Sequence, residues 1–340
     1  TKEKRKNGLK IITVGPAPAD RLKVFSPVSA GTEKAAQKIM DEFKPDLFFA
    51  TTSSLVYGPF LISALTKHAS RHGIPVICLQ DYWGNHRHPM NSLALKHWPI
   101  MMVQDEIGKR LLLEDHYRGK IVVTGNPALD ALSGIDVLSV RRRTREALKL
   151  KGEDFLIVYI GRGTPFFAHE DEVTFAFLSA ALRAMDKPPI LMVRPHPRDE
   201  APSRYESLSE GLRTINAGFV PEVHSALCAA DLVVGMDSTS HIHAIYLRIP
   251  TMCLVLPYAG RARLAKMGLT DFPPDTVGAS IGFYEPDKTA CASLMEKVRD
   301  DKNFRAALRT AQEKYFPMPS RAAPLVASEV LKLVKHSVSK

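Results

Sequence analysis

The sequence predicts a two-domain α/β protein in which helices cover both faces of two doubly wound parallel sheets. Its 340 residues exceed what one hydrophobic core usually organises. Short, almost continuously apolar segments alternate with amphipathic segments along the chain, as expected of parallel strands buried beneath helices. With 45% hydrophobic and 24% charged residues, the composition is that of an ordinary globular protein.

The first domain is predicted over residues 1–140. Strands are predicted at 9–15, 46–52 and 74–80, with helices at 32–43 and 59–72 between them. A polar loop, a short helix, the strand PIMMVQD, another helix and the strand KIVVTGNP follow. Because only sixteen residues separate Gly15 from the helix at 32, this domain is expected to lack one strand–helix unit and to be truncated at its start.

The second domain is predicted over residues 141–320, and a final helix in 321–340 is expected to pack back on the first domain. The hydrophobic period lapses across 131–154, which is interpreted as a linker with the boundary near 135–150. Strands are then predicted at 155–161, 189–197, 213–216, 231–238 and 250–257. Helices are predicted at 171–184, 203–211, 222–229, 240–246, 288–299, 303–315 and 322–334.

Charge and cysteine content narrow the classes of function. The net charge is +10, with basic clusters at 2–6 and 141–145, but no aromatic-interleaved basic face accompanies it, so nucleic acid is not expected as a partner. Both clusters are interpreted as solvated surface, the alternative being attraction to an anionic donor or to the anionic inner face of a membrane. Four cysteines far apart, without C-x-x-C spacing, argue against disulfides and zinc and predict a cytoplasmic location.

Two features of the sequence bear on export and membranes. The apolar runs are far shorter than the ~20 residues of a membrane-spanning helix. The first residues, TKEKRKNG, lack the apolar core of an export signal.

The candidate site lies just after the strands, because ligands of doubly wound sheets bind beyond the carboxyl ends of the strands. In the second domain three such turns are polar, and they are expected to share one edge of the sheet. The candidate ligand-binding residues of these turns are Gly161, Arg162, Gly163, Thr164, Arg194, Arg198, Asp237, Ser238, Thr239, Ser240 and His241, and His196 is a catalytic candidate.

Each turn suits an anion for its own reason. Gly161 and Gly163 allow close backbone approach, and Arg162 can pair with phosphate. Prolines on both sides of His196 restrict the directions in which its imidazole can point. That suits a group that donates a hydrogen bond to a phosphate oxygen, or a general acid. The residues 238–240 lead into a helix whose free N–H groups and dipole attract anions. Each turn also has a purely structural explanation, and it is their shared edge that favours a site.

A fourth polar turn, LQDYWGNHRHP, follows the third strand of the first domain. Asp81 is a candidate general base and His86 a second catalytic candidate, with Tyr82 and Trp83 as an aromatic platform for a sugar. The alternative is a solvated loop whose Trp83 packs locally. No Asp-x-Asp pair or His/Asp cluster has metal-ligand spacing, and no P-loop, G-x-G-x-x-G or G-x-S-x-G motif is present. Neither a metal nor another cofactor is therefore expected.

Three passages occur in an order that resembles a known superfamily. KIVVTGNPALDAL resembles a T-G-N-x-x-x-D-A-L passage, MVRPHPR an R-x-H-P strand, and GMDSTSHIHAIYLRIP a D-S-(G/S)-(G/S) helix entry. Together they resemble the GT-B superfamily, in particular non-hydrolysing UDP-N-acetylglucosamine 2-epimerases and CDP-glycerol glycerophosphotransferases. The likeness covers residues 43–334. It implies two Rossmann-like domains facing a cleft, with phosphate contacts at Arg162 and 238–240 and with His196 nearby.

The chain also departs from the epimerases. They carry H-R-R-E-N where this chain has GRGTPFF. They carry glutamates where this chain has other residues, namely Asp81, Met90, Asn91, His241 and His243. The acid and base groups of the epimerases are therefore largely absent.

The first functional hypothesis is a glycosyl or glycerophosphoryl transferase of surface-polysaccharide or glycoconjugate synthesis. Its partners would be a nucleotide-diphosphate-activated sugar or glycerol donor and an acceptor glycan or lipid-linked glycan. Peripheral association with the inner face of the membrane and a homodimer are left open. The alternatives are a UDP-N-acetylhexosamine 2-epimerase-like isomerase and a non-catalytic nucleotide-sugar-binding protein.

Overall fold

A computed structural model describes residues 2–6, 9–13, 30–52, 59–162, 167–220, 222–318 and 321–338. The chain divides into two compact units, one of residues 1–130 with 321–340 and one of residues 131–320. Each unit has a parallel sheet of its own.

The strands are β1 (Lys2–Lys6), β2 (Leu9–Thr13), β3 (Phe48–Thr51), β4 (Val76–Leu79), β5 (Ile100–Val103), β6 (Lys120–Val123), β7 (Leu156–Ile160), β8 (Ile190–Arg194), β9 (Arg213–Asn216), β10 (Leu232–Gly235), β11 (Thr251–Leu254) and β12 (Ile281–Phe283). The helices are α1 (Ala30–Phe43), α2 (Pro59–Arg71), α3 (Pro89–Leu95), α4 (Glu106–Glu114), α5 (Val137–Ala147), α6 (Ala168–Arg183), α7 (Arg204–Leu208), α8 (Val223–Ala229), α9 (Thr239–Tyr246), α10 (Arg261–Lys266), α11 (Lys288–Asp300), α12 (Lys302–Tyr315) and α13 (Ala322–Val338).

The first unit is built on a parallel sheet in the order β3-β4-β5-β6. On one face α1 to α4 cover a core that includes Met40, Leu65, Trp98 and Leu112. On the other face α13 packs Val326 against strand residues of β4 and β5. The last helix of the chain therefore belongs to the first unit and covers the second face of its sheet.

The amino end of α13 is capped from within the same unit. The Asp130 carboxylate accepts hydrogen bonds from the N–H groups of Ala322 and Ala323, at 3.0 and 2.8 Å. A carboxylate at a helix amino end satisfies free N–H groups and opposes the helix dipole favourably.

The strand predicted at 9–15 is formed over Leu9–Thr13, but its place differs from the prediction. It pairs antiparallel with β1 in a separate two-stranded sheet instead of joining the parallel sheet. An Asn-Gly pair, Asn7 and Gly8, lies between the two strands in the sequence. This pair is a strong signal for an antiparallel hairpin, and the interpretation of an alternating strand–helix pattern overlooked it.

The second unit is built on a six-stranded parallel sheet in the order β12-β11-β10-β7-β8-β9. One core packs α6, α11 and α12 on one face, around Phe175, Met295 and Leu308. The other core packs α8 and α9 on the opposite face, around Leu227 and Ala244. The strand order reverses beside β7 and β10, which is where a doubly wound sheet usually binds its ligand.

The segment predicted as a linker is partly a helix of the second unit. α5 begins after Asp136, whose side chain accepts from the Ser139 N–H at 3.1 Å, and Val137 and Val140 pack against the second core. Three consecutive arginines interrupt the apolar positions of this helix, so its narrow apolar face was not recognised in the sequence. The residues 131–154 therefore belong to a packed unit.

The basic cluster at 141–145 is only partly solvated surface, contrary to expectation. Arg141 and Arg145 donate to the carbonyls that end α8, including that of Ala229. Both also form ion pairs with Asp231. Two of the arginines thus cap a helix, whereas Arg142 and Arg143 are exposed.

Candidate functional site

The carboxyl edge of the second sheet brings three of the predicted turns into direct contact. After β7, the Arg162 guanidinium donates to the carboxylate of Asp237, after β10, at 2.7 Å, and also to its carbonyl. The Gly161 N–H donates to the carbonyl of Arg194, at the end of β8, at 2.8 Å. The turns after β7, β8 and β10 therefore form one rim, which we call the donor rim.

The amino end of α9 supplies unpaired donors at this rim. Ser238 is the N-cap, and its hydroxyl oxygen accepts from the His241 N–H. In the part of the chain that the structure describes, the N–H groups of Thr239 and Ser240 have no acceptor. Two free N–H groups, two hydroxyls and the positive end of a helix dipole form an anion site.

The structure corrects the role of His241. Its side chain is fully buried, so it cannot contact a ligand, and burial lowers its pKa to about 4. Its Nδ1 lies 3.0 Å from the Ser238 hydroxyl. The two side chains are therefore hydrogen-bonded to each other. His241 therefore holds the capping serine in place.

His196 lies on the donor rim with the proton of its neutral ring on Nε2. Its Nδ1 accepts from the Arg198 N–H at 3.1 Å, so in the neutral ring the proton resides on Nε2. Burial, and then the positive charges of Arg198 and Arg162, lower the pKa of His196, which keeps the ring neutral. A neutral imidazole can donate one hydrogen bond from Nε2 to a phosphate oxygen. The Arg198 side chain is exposed.

Two other predicted residues have structural partners. The Arg194 guanidinium is half-buried and donates to the carbonyl of Val220. A Cβ on Gly161 would lie 2.5 Å from the Tyr205 hydroxyl, so this glycine makes room for a side chain and not for a ligand. Gly163 and Thr164 lie outside the described residues.

A buried network behind the donor rim escaped the sequence reasoning. The fully buried Asp171 accepts from the Arg162 N–H at 2.7 Å and from the Tyr159 hydroxyl at 2.9 Å. It also accepts from Arg204, which pairs with Asp199 after β8. The turns after β7 and β8 are thereby fixed to each other. These residues lie inside predicted strands, helices and turns, and no motif marked them.

A second missed group lies near Asp237. Asp275 accepts from the hydroxyls of Ser280 and Tyr284. Burial above all, with the negative charges of Asp271 and Asp237, raises the pKa of Asp275 to about 7. In the described residues no group of three or more His, Cys, Asp or Glu side chains is arranged to hold a metal ion.

In the first unit, Asp81 lies at the carboxyl end of β4. Its carboxylate accepts from the Thr52 hydroxyl and from the Asn85 amide, both at 2.7 Å. Burial raises the pKa of Asp81 because it outweighs these hydrogen bonds. A raised pKa suits a carboxylate that accepts a proton near neutral pH.

The residues 82–86 of this turn are buried, which bears on the predictions for His86 and Trp83. His86 is fully buried, with Nδ1 accepting from Gln80 at 2.8 Å and Nε2 donating to Asp115 at 2.6 Å. Both ring nitrogens are occupied, so His86 is structural. Trp83 is also fully buried and donates to Asp105 at 2.9 Å, so it cannot stack on a sugar. The turn folds inward because its amides and aromatic rings find partners there.

None of the described helices combines the length and apolarity needed to cross a membrane. No family model matches the sequence, and no curated protein is similar to it.

Solved structures with a similar fold do exist. UDP-GlcNAc 2-epimerase from Neisseria meningitidis, bound to UDP-GlcNAc, is 14% identical, with a TM-score of 0.58 over 88% of this chain and 80% of its own. S. aureus MnaA, bound to UDP, is 13% identical, with a TM-score of 0.64 over 92% and 84%. MurG from Acinetobacter baumannii is 13% identical, with a TM-score of 0.59 over 98% and 83%.

These likenesses span most of both chains, so they concern both parallel-sheet units and not one alone. At this level of identity they establish the fold. The chain therefore has the GT-B fold, with two Rossmann-like parallel-sheet units, as the order of its motifs indicated.

Proposed function

We propose that the second unit binds the diphosphate of a nucleotide-activated sugar or glycerol at the donor rim, and that the protein is a transferase. One observation carries the proposal: the Arg162–Asp237 ion pair joins two turns beside the N–H groups of Thr239 and Ser240, for which the described residues provide no acceptor. That arrangement presents donors and a helix amino end to an anion. The fold neighbours whose structures contain UDP or UDP-GlcNAc support a nucleotide donor.

The protein groups at the rim suit a diphosphate, which has several oxygens to accept hydrogen bonds, better than an anion with a single acceptor. The N–H groups and the hydroxyls of Thr239 and Ser240 can together bind one phosphate, and Nε2–H of His196 can donate to another oxygen. The Arg162 charge is balanced by Asp237, so the net attraction comes largely from oriented N–H dipoles. Fixed dipoles stabilise charge that develops on a leaving group at no cost of reorganisation.

The proposed reaction is a displacement at the group that the diphosphate carries. The oxygen of an acceptor hydroxyl forms a bond to the transferred group, and the bond between that group and the diphosphate oxygen breaks. The diphosphate leaves as an anion held by Thr239, Ser240 and His196. The hydroxyl proton passes to Asp81, whose raised pKa fits this role.

Isothermal titration calorimetry tests the donor site. We expect UDP, UDP-GlcNAc or CDP-glycerol to bind the wild-type protein, and Thr239→Ala with Ser240→Ala to weaken binding about 5- to 30-fold, since two hydroxyl hydrogen bonds are lost. Ser293→Ala with Thr310→Ala is the matched control, because it removes two hydroxyls from exposed positions on α11 and α12.

Two results would contradict the proposal. One is equal donor affinity in the wild-type protein and the rim variant. The other is a loss of affinity of the same size in the control. A protein that binds donor but turns over UDP-GlcNAc without an acceptor, as seen in the anomeric NMR signals of the sugar, would be an isomerase and not a transferase.

A further inference from the structure

The turn after β11 adjoins the donor rim. β11 pairs in parallel with β10, with Gly235 opposite Cys253, so the chain leaves both strands at the carboxyl edge of the second sheet. The turn is closed by the Ala259 N–H, which donates to the carbonyl of Leu256 at 3.0 Å. It therefore stands next to the turn that leads from β10 into α9, where the proposed phosphate site lies.

Gly260 packs this turn against the donor rim. Its φ of 88° lies in the left-handed region, which favours glycine. A Cβ on Gly260 would lie 3.4 Å from Cε of Met236 and 3.7 Å from Cα of Val255. Met236 directly precedes Asp237, the rim residue that pairs with Arg162. The turn after β11 is therefore held beside the first residues of the turn after β10.

Two exposed side chains follow β11 and have no use inside the protein. Tyr258 is 57% exposed, and its side chain has no hydrogen-bond or ring partner among the described residues. Arg261 is exposed and has no ion pair in the same part of the chain, and residues 257–270 include no Asp or Glu. By contrast, the guanidinium groups of Arg162 and Arg194 on the donor rim donate to protein oxygens. Polar and aromatic groups without internal partners are available to a ligand.

The strand order places Tyr258 at one end of the proposed diphosphate site. Thr239 and Ser240 follow β10, whereas His196 follows β8. In the order β11-β10-β7-β8, Tyr258 and His196 therefore lie on opposite sides of the amino end of α9. A bound diphosphate has two substituents, so one lies toward β8 and the other toward β11. The substituent toward β11 meets Tyr258.

We propose that the Tyr258 ring packs against the ring of a sugar that the diphosphate carries, with Arg261 donating to oxygens of that sugar. An aromatic ring beside a hydrogen-bond donor suits a pyranose, which presents C–H groups on its face and oxygens at its edge. A glycerol chain has no such face. This assignment rests on the proposed function, and it selects a sugar donor over a glycerol donor.

Calorimetry with UDP and with UDP-GlcNAc tests the proposal, because the two ligands share the nucleotide and differ in the sugar. Tyr258→Ala should weaken UDP-GlcNAc binding roughly 3- to 10-fold and change UDP binding by less than about twofold. Tyr258→Phe keeps the ring and should bind both ligands as the wild type does. Tyr315→Ala is the matched control, since it removes a tyrosine that is 37% exposed at the end of α12.

The two proposals fail in different ways. Wild-type protein that binds none of UDP, UDP-GlcNAc and CDP-glycerol would contradict the donor site itself. The role of Tyr258 alone is overturned if UDP binds and Tyr258→Ala keeps full affinity for UDP-GlcNAc, or if Tyr315→Ala loses as much. It is also overturned if UDP affinity falls by the same factor, because the ring would then contact the nucleotide.

Two further results bear on the sugar. Wild-type protein that binds CDP-glycerol and not UDP-GlcNAc would overturn the choice of a sugar and leave the donor site standing. Arg261→Gln should weaken UDP-GlcNAc binding more than UDP binding. Equal losses for the two ligands would assign Arg261 to the phosphates and overturn its contact with the sugar.

Discussion

The turn after β4 in the first unit and the turn after β10 in the second are both polar. They differ in whether their polar groups are hydrogen-bonded inside the protein. In the first, His86 and Trp83 are fully buried and bonded to Asp115 and Asp105. In the second, Thr239 is exposed and its N–H has no acceptor in the described chain. A polar turn becomes a binding site only where its groups are left without internal partners.

The largest expected effect tests the inward-facing turn. His86→Ala removes a buried ring with two hydrogen bonds and leaves Gln80 and Asp115 with lost partners, so the free energy of unfolding should fall by about 3 kcal/mol. Urea denaturation measures this change, and calorimetry should show unchanged UDP affinity at a temperature where the variant is folded. A variant of full stability that has lost UDP binding would break the comparison.

A smaller effect tests the packing behind the donor rim. Gly161→Ala places a methyl group 2.5 Å from the Tyr205 hydroxyl and 3.2 Å from the Arg194 carbonyl oxygen. Such overpacking should cost about 2 kcal/mol of unfolding free energy. Combined with Tyr205→Phe, which removes the hydroxyl, the two changes should together cost less than the sum of the single changes. Strict additivity in thermal unfolding would show that the glycine has another purpose.

The smallest effect separates capping from ligand binding. Ser238→Ala removes the N-cap of α9 and should lower the free energy of unfolding by about 1 kcal/mol. Asp136→Ala removes the N-cap of α5 and is the matched control. Donor affinity, measured by calorimetry, should fall less in Ser238→Ala than in the variant that lacks the hydroxyls of Thr239 and Ser240. The reverse order would assign the phosphate contact to Ser238.

Most of the second sheet was predictable because its strands are short, apolar and separated by regular helices. β9 coincides with the predicted range 213–216, and α6 and α9 begin within three residues of the predicted positions. The short elements α10 and β12 escaped prediction, since six and three residues carry too little periodicity. α5 was missed because its apolar positions are interrupted by arginines that turn out to be internal caps.

The candidate site was predictable in outline and not in detail. Residues after parallel strands must share an edge, so Arg162, His196 and Asp237 could be grouped without a structure. The same rule selected His86 and His241, which are buried. The rule did not identify Asp171 or Asp275, because it considers only residues that directly follow a strand. The hydrogen-bond partners of these two aspartates become apparent only in the folded chain.

The sequence by itself determined the α/β class and the order of strands and helices, because hydrophobic period and turn chemistry are local properties. The GT-B fold was indicated by the resemblance of three passages, in their order, to a known superfamily. Only the tertiary structure decided which polar groups face outward. Whether His86 meets Asp115, or Ser238 meets His241, depends on contacts between elements that the chain order does not specify. Burial and hydrogen-bond partners are properties of the packed chain, and they separate a structural polar residue from one that is available to a ligand.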